Sequence, residues 1–502
     1  MRLPGASFSS LGFALIAGAA SVVAYAPFGW FPLMLLSLAA LVWLLDAARS
    51  ARAGFWLGFA WGLGAFLGGV SWLYVALNRY GGVPMPLAAL AIALFCAVLA
   101  VYPALAGAFY ARWRPRPALA RAAAFAGFWV LAEMLRGWAF TGFPWLLVGY
   151  TQTAPGSLVG LQPVLGAYGT GAVLAFAAAW LAVLLQRRRV VSALALPVVL
   201  AGVSMALSHH AWTEPQDEPL RVALVQTNIE QDLKWDPARM SDWLRVNAEM
   251  ADVEDVDLVV LPETSLPMLV DQLPEGYLDT LSARAQERGN ELIAGVFARD
   301  EQGAIYNAAL SMGQQPGQFY AKRHLVPFGE YSPPLFDWFY RFADIPMSNQ
   351  TPGPRVQPPM QVGAQRVALN ICYEDVFGRE LLDFLPEATL MLNISNLAWY
   401  GASLAQPQHL QIARVRALET GRPMLRSTNT GMTALVQPDG AVEAVMPQFE
   451  RGVLEVEVFG HTGFTPYARW GDGAALALAA LALSVAWRAR RRHGFDPGRE
   501  SQ

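Results

Sequence analysis

Long apolar runs, separated by short polar stretches, make up most of the first 210 residues of the chain. Many of them approach the ~20 residues that an α-helix needs to cross a bilayer. We predict eight membrane-spanning helices, at residues 9–27, 30–47, 54–77, 84–110, 118–135, 164–186, 190–208 and 471–487. We expect the first to be a retained span rather than a signal peptide, because a second apolar run follows almost at once and the preceding basic region is thin.

Between residues 212 and 464 the pattern changes to short apolar runs that alternate with amphipathic segments. Runs rich in branched residues predict strands at 221–226, 258–261, 292–297, 307–312, 367–371, 390–394, 424–427, 433–437 and 452–458. Helical periodicity predicts helices at 240–251, 277–288 and 406–419. Asp439-Gly440 is a hairpin-turn signal. The alternation predicts one α/β domain whose helices cover the faces of its sheets.

The chain is therefore expected to have three parts. Residues 1–211 form transmembrane helices 1–7, residues 212–464 form the α/β domain, and residues 465–502 form helix 8 and a basic tail. Lysine and arginine are biased to the cytoplasmic side of membrane proteins. If Arg2 lies inside, the alternate loops and the tail that hold most of the other arginines also lie inside: Arg49, Arg52, Arg112, Arg114, Arg116, Arg121, Arg187, Arg188, Arg189, Arg488, Arg490, Arg491 and Arg492. The opposite loops carry little more than Arg79 and Arg136, so we expect cytoplasmic termini and an extracytoplasmic α/β domain.

Composition agrees with a membrane protein and disfavours several other classes. Hydrophobic residues make up 54% of the chain and charged residues 15%, against about a quarter charged in soluble domains. The net charge is −3, and no basic cluster is interleaved with aromatics, so nucleic acid is not an expected partner. The two cysteines, Cys96 and Cys372, do not indicate a disulfide framework. No His, Cys and Asp spacing resembles a metal site, and no cofactor is expected.

Cys372 stands at the end of the strand predicted at 367–371, where the sequence turns polar. Functional side chains are often mounted where a rigid strand passes into a loop. An isolated cysteine is nevertheless more often a small buried apolar residue. A nucleophilic role requires a base and a cation nearby, because a thiol near its ordinary pKa is mostly unionised.

Two upstream segments supply such groups. Glu263 follows the strand predicted at 258–261, although a carboxylate there could instead stabilise a helix N-terminus. A loop-like segment holds Lys322 and Glu330, where a lysine is ordinarily solvated and the glutamate could be structural. A base, a fixed positive charge and a nucleophile are what acyl transfer requires. We predict that Glu263, Lys322 and Cys372 form one site.

These three residues, each in its flanking sequence, resemble the Glu-Lys-Cys triad of the nitrilase, or carbon-nitrogen hydrolase, superfamily. More narrowly, nearly the whole chain resembles the bacterial apolipoprotein N-acyltransferases, including its eight-span layout. The shared motifs are K-R-H-L-V-P-F-G-E-Y (322–331), N-I-C-Y-E (370–374), N-I-S-N (393–396), R-V-R-A-L-E (414–419), L-R-S-T-N-T-G (425–431) and T-G-F-P-W (141–145). The resemblance implies a nitrilase-like α-β-β-α sandwich within an integral protein of the bacterial inner membrane.

The resemblance also implies a reaction in two steps. Cys372 attacks an ester carbonyl of a membrane phospholipid, and the acyl chain then passes from the thioester to the N-terminal S-diacylglyceryl cysteine of an apolipoprotein. Glu263 would act as the base, while Lys322 and the backbone N–H of Tyr373 would face the oxyanion. Glu330 and Glu374 would support the site, and substrate would contact Trp235, Asn307, Trp399 and Gly142. The enzyme is expected to be a monomer.

Three further features concern the surroundings of this site. The segment 331–347 is too aromatic for an ordinary surface loop, which indicates contact with lipid unless it packs on the domain's own core. The family usually has aspartate where this chain has Leu397, and an aromatic residue where it has Pro407; both differences bear on pocket shape more than on chemistry. Glu133 and Arg136 lie near a span end, where they could mark function, snorkel or pair with each other.

Two other functions agree with parts of the sequence. A membrane-tethered amidase or nitrilase would use the same three residues on a small soluble amide, although it would not need the aromatic segment. A transporter or receptor would carry charged or broken helices around a site at the bilayer midplane. Acids and lysines are nearly absent from the predicted spans, which argues against that function.

Overall fold

The structure is a computed structural model that describes residues 7–333 and 347–492. Most of the aromatic segment predicted to contact lipid, residues 334–346, lies outside the described residues, as do Arg2 and the end of the basic tail. The helices are α1 (Phe8–Ser21), α2 (Pro32–Ala47), α3 (Ala51–Val70), α4 (Leu73–Val75), α5 (Met85–Trp113), α6 (Ala118–Trp138), α7 (Gln162–Gln186), α8 (Val190–Ser208), α9 (Gln231–Lys234), α10 (Met240–Met250), α11 (Tyr277–Arg288), α12 (Gly378–Leu381), α13 (Ala405–Thr420), α14 (Pro466–Trp470) and α15 (Gly473–Arg492).

Apolar helices occur at all eight predicted spans. Within the described residues, six are long and apolar enough to cross a membrane, and they include α3, α5, α6, α7, α8 and α15. The other two, Phe8–Ala24 and Pro32–Ala47, are shorter apolar helices. The predicted count of eight is therefore approximate. The predicted third span is too long at its C-terminal end, because α3 ends at Val70.

Small residues allow close packing among these helices. A Cβ atom added at Gly18 of α1 would lie 1.9 Å from the carbonyl oxygen of Trp61 in α3. A Cβ atom added at Gly64 of α3 would lie 2.0 Å from the carbonyl oxygen of Leu15 in α1. The backbones of the two helices are therefore in direct contact at both glycines. Small residues at such contacts are how helices approach closely in lipid, where apolar burial gives no driving force between them.

Glu133 and Arg136 of α6 are buried, with 5% and 3% of their surfaces exposed. Arg136 donates to the carbonyl oxygen of Phe143 at 2.6 Å, and the backbone N–H of Val148 donates to Oε1 of Glu133 at 2.9 Å. Both side chains thus hold the backbone of the loop that follows α6. Snorkelling to the interface, one of the expected roles, is wrong for this pair.

The segment between residues 211 and 468 contains two six-stranded sheets, with the strand orders β12-β1-β2-β3-β4-β5 and β11-β10-β9-β8-β7-β6. Strands β1, β2 and β3 run parallel to one another, and so do β7, β8 and β9. The strands are β1 (Thr213–Gln226), β2 (Leu258–Val260), β3 (Glu291–Arg299), β4 (Ile305–Gly313), β5 (Gln318–Ala321), β6 (Met360–Val362), β7 (Gln365–Ile371), β8 (Leu390–Ser395), β9 (Met424–Thr428), β10 (Ala434–Val436), β11 (Val442–Val445) and β12 (Gly452–Gly463).

Hydrophobic burial arranges these sheets as a helix-sheet-sheet-helix sandwich. Leu224 and Val260 of the first sheet share one buried cluster with Leu369 and Leu392 of the second. The opposite face of the first sheet packs against α10 and α11, through residues such as Leu281. Helix α13 packs against the second sheet in the same way. The predicted architecture, apolar helices of membrane-spanning length with an α-β-β-α sandwich domain, is confirmed.

All nine predicted strands and the three predicted helices of this region are present. The Asp439-Gly440 turn joins β10 to β11, which pair antiparallel, and Gly440 has a φ of 77°. Three short strands, β5, β6 and β11, were not predicted. Each spans only three or four residues, too few for an alternating pattern to stand out from the surrounding loop.

The chain forms two compact units, which we call the helical unit and the sheet unit. The sheet unit comprises Ala211–Ala468 together with the segment Trp72–Ala88, which follows α3 and includes the start of α5. The ring of Trp72 contacts that of Tyr400 edge to face at 4.6 Å, and Arg79 forms an ion pair of 2.8 Å with Asp232. This segment overlaps the end of the third predicted span and the start of the fourth, and it packs against the α/β domain.

Candidate active site

The three predicted functional residues each follow the carboxyl end of a strand in the sheet unit. Glu263 lies beyond β2, Lys322 directly follows β5, and Cys372 directly follows β7. Nζ of Lys322 lies 3.3 Å from Oε1 of Glu263. The thiol of Cys372 interacts electrostatically with both charged groups. The structure thus brings together a carboxylate, an amine and a thiol that are far apart in the sequence.

Lys322 is fully buried between two carboxylates. Its Nζ donates to Oε1 of Glu330 at 2.6 Å and to Oε1 of Glu263 at 3.3 Å. Burial lowers the pKa of the Lys322 amine, but Glu263, Glu330 and Cys372 outweigh burial, and the pKa lies well above its usual value. The amine is therefore a fixed positive charge at neutral pH, and not the solvated lysine common in loops.

Glu263 is oriented through both of its carboxylate oxygens. The side-chain amide of Asn307, on β4, donates to Oε1 at 2.8 Å, and the backbone N–H of Asn396 donates to Oε2 at 2.8 Å. The carboxylate is 4% exposed. A carboxylate held in this way keeps one orientation toward the centre of the site, as a general base requires.

Cys372 begins a short 3₁₀ turn, Cys372–Val376, and has a φ of 52°. A non-glycine residue in the left-handed region is strained, and such strain clusters at functional sites. Burial raises the pKa of the thiol well above its usual value, Glu263 raises it further, and Lys322 lowers it. Lys322 thus favours the thiolate, but burial and Glu263 outweigh it, so the resting thiol is protonated.

Glu374 connects the turn at Cys372 with the loop at Lys322. Its Oε2 accepts from the backbone N–H of Ile371 at 2.6 Å, and its Oε1 accepts from that of Arg323 at 2.8 Å. The hydroxyl of Tyr320 donates to the same carboxylate at 3.0 Å. One buried side chain therefore sets the positions of the residues that flank the nucleophile and the cation.

Glu330 returns from the far end of the Lys322 loop to contact the amine. Its second oxygen accepts from the backbone N–H of Val326 at 2.7 Å, and Asn307 lies 3.3 Å from the first. Burial raises the pKa of Glu330, and Lys322 opposes that shift. The carboxylate closes the loop upon itself and fixes the amine at its centre.

The residues expected to contact substrate are only partly grouped. The ring centroids of Trp235 and Phe297 lie 5.9 Å apart, and those of Trp399 and Tyr80 lie 5.8 Å apart. Asn307 bridges Glu263 and Glu330 and so supports the carboxylates themselves. Gly142 lies in the helical unit, at the turn after α6, where its φ of 87° favours glycine.

Tyr373 contacts His324 and Phe377 through its ring.

The two departures from the family pattern leave the charged cluster intact. Leu397 is buried in the turn Leu397–Tyr400, directly after the residue whose N–H binds Glu263. Pro407 stands in the first turn of α13, where proline is tolerated because the first amides of a helix have no intrahelical partner.

Lys234 is a functional candidate that the sequence analysis did not identify. Its side chain is 1% exposed, and its Nζ lies 3.4 Å from the carbonyl oxygen of Glu263. Burial lowers the pKa of this amine to about 7, although Glu263 raises it. A lysine beside a tryptophan in a four-residue helix carries no local signal of burial, so only the tertiary structure identifies it.

Together these groups can carry out acyl transfer by a thiol. A carboxylate is available to remove a proton, a buried ammonium is available to stabilise an oxyanion, and a strained turn presents the sulfur. Such preorganised charges in a water-poor site are often the largest single contribution to catalysis. Within residues 7–333 and 347–492, no group of three or more His, Cys, Asp and Glu residues has the arrangement of a metal site.

Comparisons with known proteins match both units. The family model described as the apolipoprotein N-acyltransferase N-terminal domain matches residues 17–180, and that described as carbon-nitrogen hydrolase matches residues 221–467. Apolipoprotein N-acyltransferase from Chromobacterium violaceum is 42% identical, covering 96% of this chain and 94% of the relative. That from Nitrosomonas europaea is also 42% identical, covering 93% and 94%. A crystal structure of an amidase from Nesterenkonia sp. aligns with 50% of this chain and 92% of its own, at a TM-score of 0.37 and 18% identity.

Proposed function

This chain belongs to the apolipoprotein N-acyltransferase family, and we propose that it N-acylates lipoproteins through a thioester on Cys372. The proposed donor is a membrane phospholipid, and the proposed acceptor is the α-amino group of an N-terminal S-diacylglyceryl cysteine. The observation that carries the proposal is the buried Lys322 amine, 3.3 Å from Glu263 and in electrostatic contact with the Cys372 thiol.

The first half-reaction forms the acyl-enzyme. Glu263 removes the proton from Sγ of Cys372 as the sulfur bonds to the ester carbonyl carbon of the phospholipid. The oxyanion that develops faces Nζ of Lys322 and the backbone N–H of Tyr373. The carbon–oxygen ester bond then breaks, and Glu263 returns the proton to the leaving glyceryl oxygen, which releases a lysophospholipid. Because the resting thiol is protonated, this half-reaction depends on the base from its start.

The second half-reaction transfers the acyl chain to nitrogen. The neutral α-amine of the diacylated cysteine attacks the thioester carbonyl, and Glu263 accepts a proton from the attacking nitrogen. The carbon–sulfur bond breaks, the amide forms, and the proton passes from Glu263 to the sulfur. The same carboxylate and the same ammonium thus serve both half-reactions, and the two substrates bind in turn.

The proposed donor is a lipid of the membrane that the helical unit would span. Six helices of the described residues have the length and apolarity to cross a bilayer, in agreement with a protein of the bacterial inner membrane. We propose that the sheet unit lies on the extracytoplasmic side, that both termini are cytoplasmic, and that the enzyme is a monomer. The arginines of the alternate loops support that orientation.

The proposal is tested by the intact mass of the purified protein after incubation with one defined phospholipid. We expect a mass gain of one acyl chain, which hydroxylamine removes and which a diacylglyceryl-cysteine peptide also removes as it becomes N-acylated. A peptide that is acylated without any mass gain on the enzyme would contradict the thioester. Ammonia release from soluble amides, without transfer to the peptide, would indicate an amidase instead.

Glu330→Gln is expected to lower the rate of N-acylation by roughly 10- to 100-fold. The amide removes the negative charge that pairs with the Lys322 ammonium and leaves a hydrogen bond to a neutral oxygen, and hydrogen bonds to charged groups contribute about 1.5–3 kcal/mol. The amine then loses its fixed position relative to Glu263. Steady-state kinetics should show the loss in kcat with little change in KM for the peptide.

A matched control for this substitution is Glu254→Gln. Glu254 is an exposed carboxylate of the same unit that pairs with Arg288 on the surface, where ion pairs contribute little. Its replacement should leave kcat unchanged within about twofold. Wild-type kinetics in the Glu330→Gln variant would mean that Glu330 has no part in holding the cation.

A further inference from the structure

Three buried polar side chains lie beside the turn of the nucleophile and have no part in the proposed chemistry. Oδ1 of Asp375 lies 2.6 Å from Nε2 of His409, and NH1 of Arg426 donates to Oδ2 of Asp375 at 2.9 Å. NH2 of Arg426 lies 3.1 Å from Nδ1 of His409, which closes the triangle. The exposed fraction of each residue is at most 1%. We call these three residues the Asp375 array.

The array joins three separate elements at one end of the second sheet. Asp375 belongs to the 3₁₀ turn that begins at Cys372, His409 lies on α13, and Arg426 lies on β9. Strand β8 stands between β7 and β9. The guanidinium of Arg426 therefore reaches past an intervening strand to bind the turn, and the turn is tied to elements on the far side of that strand.

The register of the sheet sets polar residues of β7, β8 and β9 side by side. Asn370 of β7 pairs with Asn393 of β8, which pairs with Arg426 of β9. The amide of Asn393 donates to Oδ1 of Asn370 at 2.6 Å and to the carbonyl oxygen of Cys372 at 3.1 Å. A row of polar side chains thus crosses the sheet and ends at the nucleophile.

His409 supplies a direct link to the nucleophile. Burial and the neighbouring Arg426 lower the pKa of its imidazole, and they outweigh Asp375 and a hydrogen bond to the backbone of Cys372, which raise it. The neutral ring accepts from Arg426 at Nδ1 and donates to Asp375 at Nε2. Asparagine and glutamine side chains also combine one acceptor with one donor group, so the hydrogen-bonding role of His409 can be reproduced without an imidazole.

Stability alone is a weak reason for such an arrangement. Taking a carboxylate and a guanidinium out of water is costly, and well-packed apolar residues often stabilise a fold as much or more. The array instead lies where the backbone is strained, since Cys372 has a φ of 52°. Strained conformations persist only where the surroundings determine them.

We propose that Asp375, His409 and Arg426 are positioning residues that hold the Cys372 turn in its left-handed conformation and keep Sγ beside Glu263. The proposal builds on the nucleophilic role of Cys372 proposed above. Glu374 fixes the same turn from the side of Lys322, and the array fixes it from the side of α13 and β9. With both supports the sulfur has one position relative to the base.

The test compares His409→Leu with His409→Gln in the full-length protein in detergent. Leucine removes the hydrogen bonds of the imidazole to Asp375, to Arg426 and to the Cys372 backbone, and it leaves the pair between Asp375 and Arg426 in place. Glutamine can restore a donor and an acceptor. We expect His409→Leu to slow alkylation of Cys372 by iodoacetamide at pH 7.5 about tenfold or more, because small displacements of reacting groups are costly. His409→Gln should remain within about threefold of the parent.

Alkylation is followed by intact mass in a Cys96→Ala background, so that Cys372 is the single thiol. Leu281→Ala in α11, a buried core position away from the turn, serves as a control of lowered stability. Unfolding temperatures are measured for every variant. The control should unfold at a lower temperature yet alkylate at the parental rate, which separates loss of stability from loss of positioning.

Alkylation of His409→Leu at or above one third of the parental rate would overturn the proposal, as would a glutamine variant as slow as the leucine variant. The readout is independent of lipid substrates. If the parent alkylates normally but never gains an acyl chain from phospholipid, the thioester proposal fails while the result for the array stands. If the thioester forms and the two His409 variants match the parent, only the array fails.

Discussion

Cys372→Ala is expected to abolish N-acylation of a diacylglyceryl-cysteine peptide while the protein remains folded in the membrane. The alanine methyl group cannot bond to the acyl carbon, so no thioester forms and Glu263 has no proton to take. Removing the nucleophile of an acyl-transfer enzyme costs on the order of 10⁵-fold or more in kcat. The measurement is the rate of peptide acylation by mass spectrometry, with a detection limit well below that level.

The second cysteine provides the matched control. Cys96 lies on α5, inside a candidate membrane span, and is fully buried. Cys96→Ala removes one sulfur from a well-packed helix and should leave the acylation rate within about twofold of the parent. Acylation that persists in Cys372→Ala at a tenth of the parental rate would rule out the covalent route.

Stability should change little in Cys372→Ala. The side chain is only partly buried, and the turn around it is held by other groups, namely Glu374 and the Asp375 array. Alanine at a φ of 52° carries the same steric strain as cysteine. A loss of activity with an unchanged unfolding temperature would therefore report on chemistry and not on folding.

The parts of this architecture that local sequence determines could be predicted. The strands that precede Glu263 and Cys372 are apolar runs that stop at a polar residue. Such a pattern places the polar side chain at the end of a strand, whatever the position of that strand in the sheet. The membrane spans are equally local, because a bilayer requires only length and apolarity. The end of the third predicted span was wrong because Trp72 and its neighbours are apolar yet pack on the sheet unit.

The parts that depend on distant residues could not be predicted. His409 is an example, because its side-chain partners Asp375 and Arg426 are 34 and 17 residues away in the sequence. Lys234 lies 29 residues from the carbonyl group that it contacts. No periodicity or spacing encodes these contacts, since they follow from the order of the strands and from which helix covers which sheet.

Glu330 and Asn307 illustrate an intermediate case. The resemblance implied that Glu330 supports the site and that Asn307 contacts substrate, while the sequence gives no contacts for either residue. In the structure Asn307 lies between the two carboxylates, 2.8 Å from Oε1 of Glu263 and 3.3 Å from Oε1 of Glu330. Lys322 therefore faces a preassembled pair of acids, and the roles of the three side chains are set by their mutual distances.

Glu263→Gln is expected to slow both half-reactions by about 10³- to 10⁴-fold, the upper part of the range for a lost general base. The amide cannot accept a proton from the Cys372 thiol or from the incoming amine. It also disturbs the site, because donors face both carboxylate oxygens: Asn307 and Lys322 at Oε1, and the N–H of Asn396 at Oε2. Either orientation of the amide sets its NH₂ group against a donor, and Glu263→Asp should retain more activity.

The two half-reactions can be measured separately in this variant. Acylation is followed as the mass gain on the enzyme, and aminolysis as the decay of a preformed thioester after the peptide is added. Glu291→Gln is the matched control, because Glu291 is a buried carboxylate at the opposite end of the first sheet, hydrogen-bonded to Ser311. It should leave both rates within about threefold of the parent. If Glu263→Gln slows acylation but not aminolysis, the amine loses its proton to another group, and Lys234, 3.4 Å from the Glu263 backbone, becomes the first residue to replace.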